Sequence, residues 1–202
     1  PGFIAANADG VRAALRELPE SERDDARLVF TAHSIPVAMN ASSGPEHSGL
    51  YEAQQRESAR LVAAEVRGAG APFDLAWQSR SGPPHVPWLE PDIEDHLRAL
   101  AAVGTRAVVV CPTGFVSDHL EVRWDLDIQA RAVAEELGLS YARAATAGTH
   151  PAFVSTVCEL IMEQLTGDPP RLLGDLGVCG VDCPAACCPA PPRRETFSPL
   201  VR

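Results

Sequence analysis

Two hydrophobic periods alternate along this chain of 202 residues: helical spacing in some stretches, continuous apolar runs in others. From Gly2 onward, Phe3, Val11, Leu15 and Leu18 keep helical spacing, and Pro19 ends the helix. Arg27-Leu28-Val29-Phe30-Thr31-Ala32 is a short run of strand formers. A polar loop containing Ser42, Ser43, Gly44 and Pro45 follows, then a long helix from about Gly49 to Arg67. The pattern next predicts a strand over 73–78, a helix over 92–103 behind Pro91, and a strand over 106–111. Residues 118–137 read as one helix, closed by Gly138 in the C′ position. A fourth strand over 140–143 and a last helix over 150–165, with Pro151 at its start, complete the series.

Strands alternating with helices of this length predict βαβ units. The expected fold class is α/β: a four-stranded parallel sheet flanked by helices, with right-handed crossovers. The pattern changes at Gly167. Seven of the last 34 residues are proline and no amphipathic period survives, so the end reads as an irregular tail.

Charge and composition narrow the function. A formal net charge of −10 with no basic stripe excludes nucleic acid as a general partner. No apolar run reaches the roughly 18–20 residues of a membrane-spanning helix, the longest being the strand-like Ala107-Val108-Val109-Val110-Cys111. Neither an initiator Met nor a signal-peptide pattern opens the chain, so it reads as a fragment with a cytoplasmic setting. In that setting six cysteines point to thiols that ligate metal or a cluster rather than to disulfides.

In an open parallel sheet, ligands bind at the carboxyl ends of the strands. A polar motif follows each of the first three strands. They are Thr31-Ala32-His33-Ser34-Ile35-Pro36, Trp77-Gln78-Ser79-Arg80-Ser81-Gly82-Pro83, and Cys111-Pro112-Thr113-Gly114-Phe115-Val116-Ser117-Asp118-His119-Leu120-Glu121. Each has a bland alternative. His33 suits a hydrogen-bonded loop position, Gln78–Gly82 a simple turn, and Trp88 a loop anchor. Asp118 and Glu121 have the spacing of a capping box. Convergence on one sheet edge favours a site over separate accidents. Glu121, Asp125 and Gln129 are spaced by four. That spacing makes a row of oxygens leading away from a buried Glu121, suited to delivering a cation, or else a solvated polar face.

Phe30-Thr31-Ala32-His33-Ser34-Ile35-Pro36 closely resembles the ferrochelatase motif that carries that family's histidine. Trp77-Gln78-Ser79-Arg80 with Gly82-Pro83 and Pro87-Trp88-Leu89 resembles its porphyrin-pocket segment. The motif ending in Glu121 is similar to its second signature, and the likeness spans roughly residues 1–166. The resemblance implies a chelatase-type Rossmann-like lobe that inserts Fe²⁺, the substrate metal, into a porphyrin in haem synthesis. The actinobacterial likeness of the tail makes coproporphyrin III the expected substrate. A downstream haem-synthesis enzyme becomes an expected partner. His33 and Glu121 would be metal ligands or proton acceptors, Asp125 a further metal ligand, and Gln78, Ser79, Arg80 and Trp88 substrate contacts. The division expected is 1–22 as helix and linker from a preceding lobe, 23–168 as the chelatase lobe, and 169–202 as a Cys/Pro-rich tail.

Two departures from the family are visible. Val37 to Ser48 is unrelated to the segment many relatives carry there, and Gln129 stands where many have a carboxylate.

In the tail, Cys179, Cys183 and Cys188 have a spacing suited to three thiolates of a [2Fe-2S] cluster, with Cys187 as a spare. Relatives supply the fourth thiolate from their other lobe. A zinc site or an unligated tail are the rivals. Cys111 reads as a strand-end packing residue and Cys158, beside Val157, as a buried thiol. Rival functions are a cobalt- or nickel-inserting chelatase of similar fold, and a non-enzymatic haem- or iron-binding or cluster-sensing module.

Overall fold

A computed structural model describes residues 1–44 and 48–178. The elements are α1 (Gly2–Glu17), β1 (Arg27–His33), α2 (Val37–Ala41), α3 (Leu50–Arg67), β2 (Asp74–Gln78), α4 (Ile93–Ala102), β3 (Ala107–Cys111), α5 (Leu120–Val122), a π-helix (Arg123–Ala130), α6 (Arg131–Glu136), β4 (Ser140–Arg143) and α7 (Pro151–Thr166). All four strands are parallel, in the order β2-β1-β3-β4. The predicted strands and main helices therefore exist within a residue or two of their expected limits. The short helix α2 was not expected, because five residues are too few to show a period.

Strand side chains alternate between two cores. Leu28, Phe30, Ala32, Leu75, Trp77, Val109 and Cys111 pack with Val11 and Ala14 of α1 and Ala59 and Val62 of α3. Val29, Ala76, Val108 and Val110 pack on the other face with Leu97 of α4, Leu126 of the π-helix and Val133 of α6. This three-layer packing explains why β1 and β3 are apolar on both faces: they are central and covered twice. At the opposite end from the motifs, Arg27 meets Asp74 at 2.5 Å and His96 lies 3.3 Å from the same carboxylate. Burial raises the Asp74 pKa, but Arg27 and His96 outweigh it and hold the carboxyl well below its ordinary range. This ion cluster joins the start of β1, the start of β2 and α4.

Two expectations are corrected. Residues 118–137 do not form one α-helix: Leu120–Val122 is α-helical, Arg123–Ala130 is a π-helix, and α-geometry resumes at Arg131. An apolar period cannot report one residue more per turn when side-chain bonds from neighbouring strands hold the wider turn, as they do below. Cys158 is exposed, not buried. No residue of α7 is buried, because the helix lies outside α1 and turns Val154, Leu160, Ile161 and Leu165 to solvent. Periodicity showed that α7 has an apolar face, but not that the described residues leave it uncovered.

Candidate functional site

The chain order β1→β2 moves one way along the sheet and β2→β3 crosses back, so the topological switch point falls between β1 and β3. His33 ends β1, and the loop carrying Glu121 leaves β3. The three motifs are laced together there. The Ser34 N–H donates to Gln78 O at 2.8 Å and the Leu89 N–H to Ile35 O at 3.0 Å. The Ser34 hydroxyl donates to Leu89 O at 2.9 Å. The Gly114 N–H donates to Thr31 O at 3.0 Å. Gly114 is required by that approach, since a Cβ there would stand 2.6 Å from Ala32 Cα and closer still to Ala32 Cβ.

His33 Nδ1 lies 2.5 Å from Ser34 O. A carbonyl only accepts, so Nδ1 carries a hydrogen, and of the two neutral tautomers this selects the one whose lone pair is on Nε2. Nε2 faces Glu121 Oε1 at 3.3 Å. Two acceptors at this separation are stable only with a proton or a cation between them. The Glu121 side chain is 48 % exposed and that of His33 37 %, so Glu121 opens into the crevice and is not the buried carboxylate expected. The Phe115 ring sits 6.5 Å from the His33 ring and 5.3 Å from that of His119. The Tyr51 hydroxyl donates to His33 O at 2.7 Å, while its ring stacks on Trp77 at 5.9 Å. Burial raises the Tyr51 pKa, so the phenol stays protonated and keeps donating.

Asp125 is engaged with protein donors. Its Oδ2 accepts from the Ser79 hydroxyl and, at 3.2 Å, from Gln78 Nε2. Ser79 adopts a left-handed φ of 63°, which aims its side chain at this carboxylate. Gln78, Ser79, Arg80, Asp92, Asp125 and Gln129 line a cleft of about 200 Å³. Asp125 and Gln129 thus share one cleft, while Glu121 of the same row meets His33. The capping-box reading of Asp118 and Glu121 does not hold. His119 Nδ1 accepts from the Val122 N–H at 3.5 Å, and Asp118 pairs with Arg143 at 2.8 Å.

Trp88 is half-buried against Gly82, its strand-like segment bridged to Pro36. Exposed Arg80 donates to Pro84 O at 3.2 Å and Val86 O at 3.3 Å, bracing its own loop. Thr31 Oγ1, Gln78 Oε1, Trp88 Nε1 and Thr113 Oγ1 are buried without a partner among the described residues. All four belong to the motifs at this edge. Such a concentration of unsatisfied polar atoms marks a surface organised for something other than packing.

Cys179, Cys183, Cys187 and Cys188 lie outside the described residues. Cys111 is a packing residue as expected: burial pushes its thiol up to about 12, and it donates to Asn7 Oδ1 at 3.7 Å. Among the described residues no three His, Cys, Asp or Glu side chains form a group that could hold a metal ion, so the site offers a pair. Nor is any helix among them long and apolar enough to cross a membrane. Sequence reasoning passed over Tyr51 and Arg143. Neither stands in a motif, and only tertiary contact connects them to the site.

The ferrochelatase family model matches residues 1–165. Coproporphyrin III ferrochelatase of Nocardia farcinica is 56% identical over 201 residues, covering 96% of this chain and 56% of its own length. That of Streptomyces coelicolor is 49% identical, covering 94% of this chain and 54% of its own. The chain thus spans about half the length of the curated relatives it matches. A CbiX protein of cobalamin biosynthesis from Marinobacter aquaeolei aligns with 71% of this chain and 99% of its own at TM-score 0.46 and 15% identity, too loose a likeness to argue from.

Proposed function

Because this chain belongs to the ferrochelatase family, we propose that it carries the metallating pair of an enzyme that inserts Fe²⁺ into coproporphyrin III in haem synthesis, in the cytoplasm. One observation carries the reading: His33 Nε2, its lone pair freed by the Nδ1 contact, opposes Glu121 Oε1 at 3.3 Å across the switch-point crevice. Metallation removes two pyrrole protons and strips water from the incoming ion. His33 Nε2 is the group that accepts a pyrrole proton. Glu121 lies within reach of the same point, where it ligates the substrate iron or takes the second proton. Gln78, Ser79 and Arg80 border the crevice as substrate contacts, and Trp88 supplies an aromatic wall for one face of the macrocycle. Asp125, whose Oδ2 accepts from Ser79 and Gln78, is the further metal ligand of this reading through its second carboxylate oxygen.

The test is iron insertion by the complete enzyme, assayed in parallel with coproporphyrin III and protoporphyrin IX. Turnover with coproporphyrin III several-fold above protoporphyrin IX is expected; metallation of neither would overturn the reading.

A [2Fe-2S] cluster on Cys179, Cys183 and Cys188 belongs to the same proposal on the chemistry of its donors alone. Thiolates suit iron–sulfur clusters, and four are needed, so one ligand must come from elsewhere. Anaerobically purified complete enzyme should be coloured and hold about two irons and two sulfides per chain. Replacing Cys179, Cys183 or Cys188 with Ser should bleach it, while Cys158→Ser should leave the colour. Tightly bound zinc in a colourless protein would refute the cluster.

A further inference from the structure

We propose that Arg143 is a positioning residue that holds Glu121 opposite His33. This rests on the reading of His33 and Glu121 as the metallating pair. Arg143 ends β4, the sheet edge opposite β2, and its side chain is only 12 % exposed. Its Nε donates to Asp127 Oδ1 at 2.5 Å and its Nη2 to Asp127 Oδ2 at 3.2 Å, a two-pronged bond. Its Nη1 donates to Asp118 Oδ1 at 2.8 Å and to Ala144 O at 3.2 Å. One guanidinium therefore holds a carboxylate three residues before Glu121 and another six residues after it.

The reason such a tie is needed lies in the helix between them. A π-helix is intrinsically unfavourable and survives where tertiary contacts hold the wider turn. Asp125 and Asp127 are two residues apart and leave that helix on nearly opposite sides. Asp125 is bonded from the β2 end by Ser79 and Gln78, and Asp127 from the β4 end by Arg143. Tyr141 of β4 adds a third bond, its hydroxyl donating to Leu126 O at 2.9 Å. The π-helix is thus staked across the carboxyl edge from one outer strand to the other. Besides the backbone bonds from Gly114 to Thr31 O and from Gly148 to Val116 O, the Arg143–Asp118 bond is the side-chain tie that grips the loop three residues before Glu121. Arg123 also approaches Asp127, at 3.6 Å, but its side chain is 67 % exposed.

Lysine cannot replace this geometry. An ammonium is a point charge without the planar fork, so it satisfies one carboxylate and releases the other. Arg143→Lys, Arg143→Gln and Asp118→Ala are to be compared with Glu121→Gln in the complete enzyme, measuring kcat, the porphyrin KM and the melting temperature. Displacement of a reacting group by about 1 Å costs on the order of a hundredfold in rate. Arg143→Lys and Asp118→Ala, which deletes the acceptor for Nη1, should therefore lose about ten- to a hundredfold in kcat, with KM changed less than about twofold and the melting temperature nearly native. Arg143→Gln should lose kcat and stability together, because it leaves the largely buried Asp127 short of its main cation. Should it fail to fold, the other two variants still decide. The proposal is overturned if Arg143→Lys and Asp118→Ala keep native kcat, or if kcat falls only in step with melting temperature. Normal turnover in Glu121→Gln would sink the metallating pair and this proposal with it. An inactive Glu121→Gln beside fully active Arg143→Lys and Asp118→Ala would sink the positioning role alone.

Discussion

Replacing His33 with Ala in the complete enzyme should reduce iron insertion by about 10²–10⁴-fold while porphyrin binding changes little. The imidazole reaches the crevice only through Nε2, since Nδ1 is committed to Ser34 O. Removing the ring therefore deletes a base and ligand without disturbing the backbone bonds that shape the pocket, such as Ser34 N–H to Gln78 O at 2.8 Å. An effect on the barrier rather than on docking appears in kcat and leaves the porphyrin dissociation constant near its native value. Glu121→Gln is the informative companion. Its amide N–H would donate to the His33 lone pair, relieving the two-acceptor contact and satisfying the pair without a proton or metal. That variant should be as stable as the native protein, or more so, yet nearly inactive. Turnover is read from the porphyrin absorbance and binding from fluorescence quenching. Near-native turnover in His33→Ala would dismiss the assignment.

Gly114→Ala should destabilise the protein by about 1–3 kcal/mol or more, an overpacking cost. Its new methyl would fall 2.6 Å from Ala32 Cα and closer still to Ala32 Cβ. Neither atom is the end of a flexible side chain. Ala32 is fully buried in β1, which is bonded on both sides, so the loop rather than the strand must move. At roughly 2–4 °C per kcal/mol for a chain of this size, the melting temperature should fall by about 2–12 °C. The Gly114 N–H bond to Thr31 O would be strained at the same time, shifting Phe115 and the loop toward Glu121. Ala32→Gly in the same chain should restore only part of the loss, because the new methyl would still collide with the backbone of residue 32. A melting temperature within about a degree of native in Gly114→Ala would contradict the close approach.

Much of the fold follows from short-range pattern. Continuous apolar runs at 27–32 and 106–111 announce central strands, because a strand covered on both faces has no polar side. Pro151 and Gly138 mark helix ends through backbone geometry that needs no tertiary partner. The placing of His33, Gln78 and Glu121 at one sheet edge was legible for the same reason: each follows a strand of a parallel sheet, and parallel strands end on the same side.

The sequence by itself determined the strands, their common direction, the edge where the motifs gather and the family they resemble, because these depend on local periodicity and on residue types in fixed order. Tertiary structure alone decided the rest. The π-geometry of 123–130 arises from bonds brought in by Ser79, Gln78, Tyr141 and Arg143, residues up to 47 positions away in sequence. That Asp125 accepts from Ser79 and Gln78 through one carboxylate oxygen is likewise set by how the β2 loop docks on the π-helix. Cys158 reads as buried until α7 is seen packing on α1 with its apolar side left uncovered by the described residues. Which atom of His33 faces Glu121 was settled by a single carbonyl, Ser34 O, whose position no spacing along the chain encodes. Local sequence sets what each element is; the partner a side chain meets depends on how the elements dock, and that is where the chemistry of this site is decided.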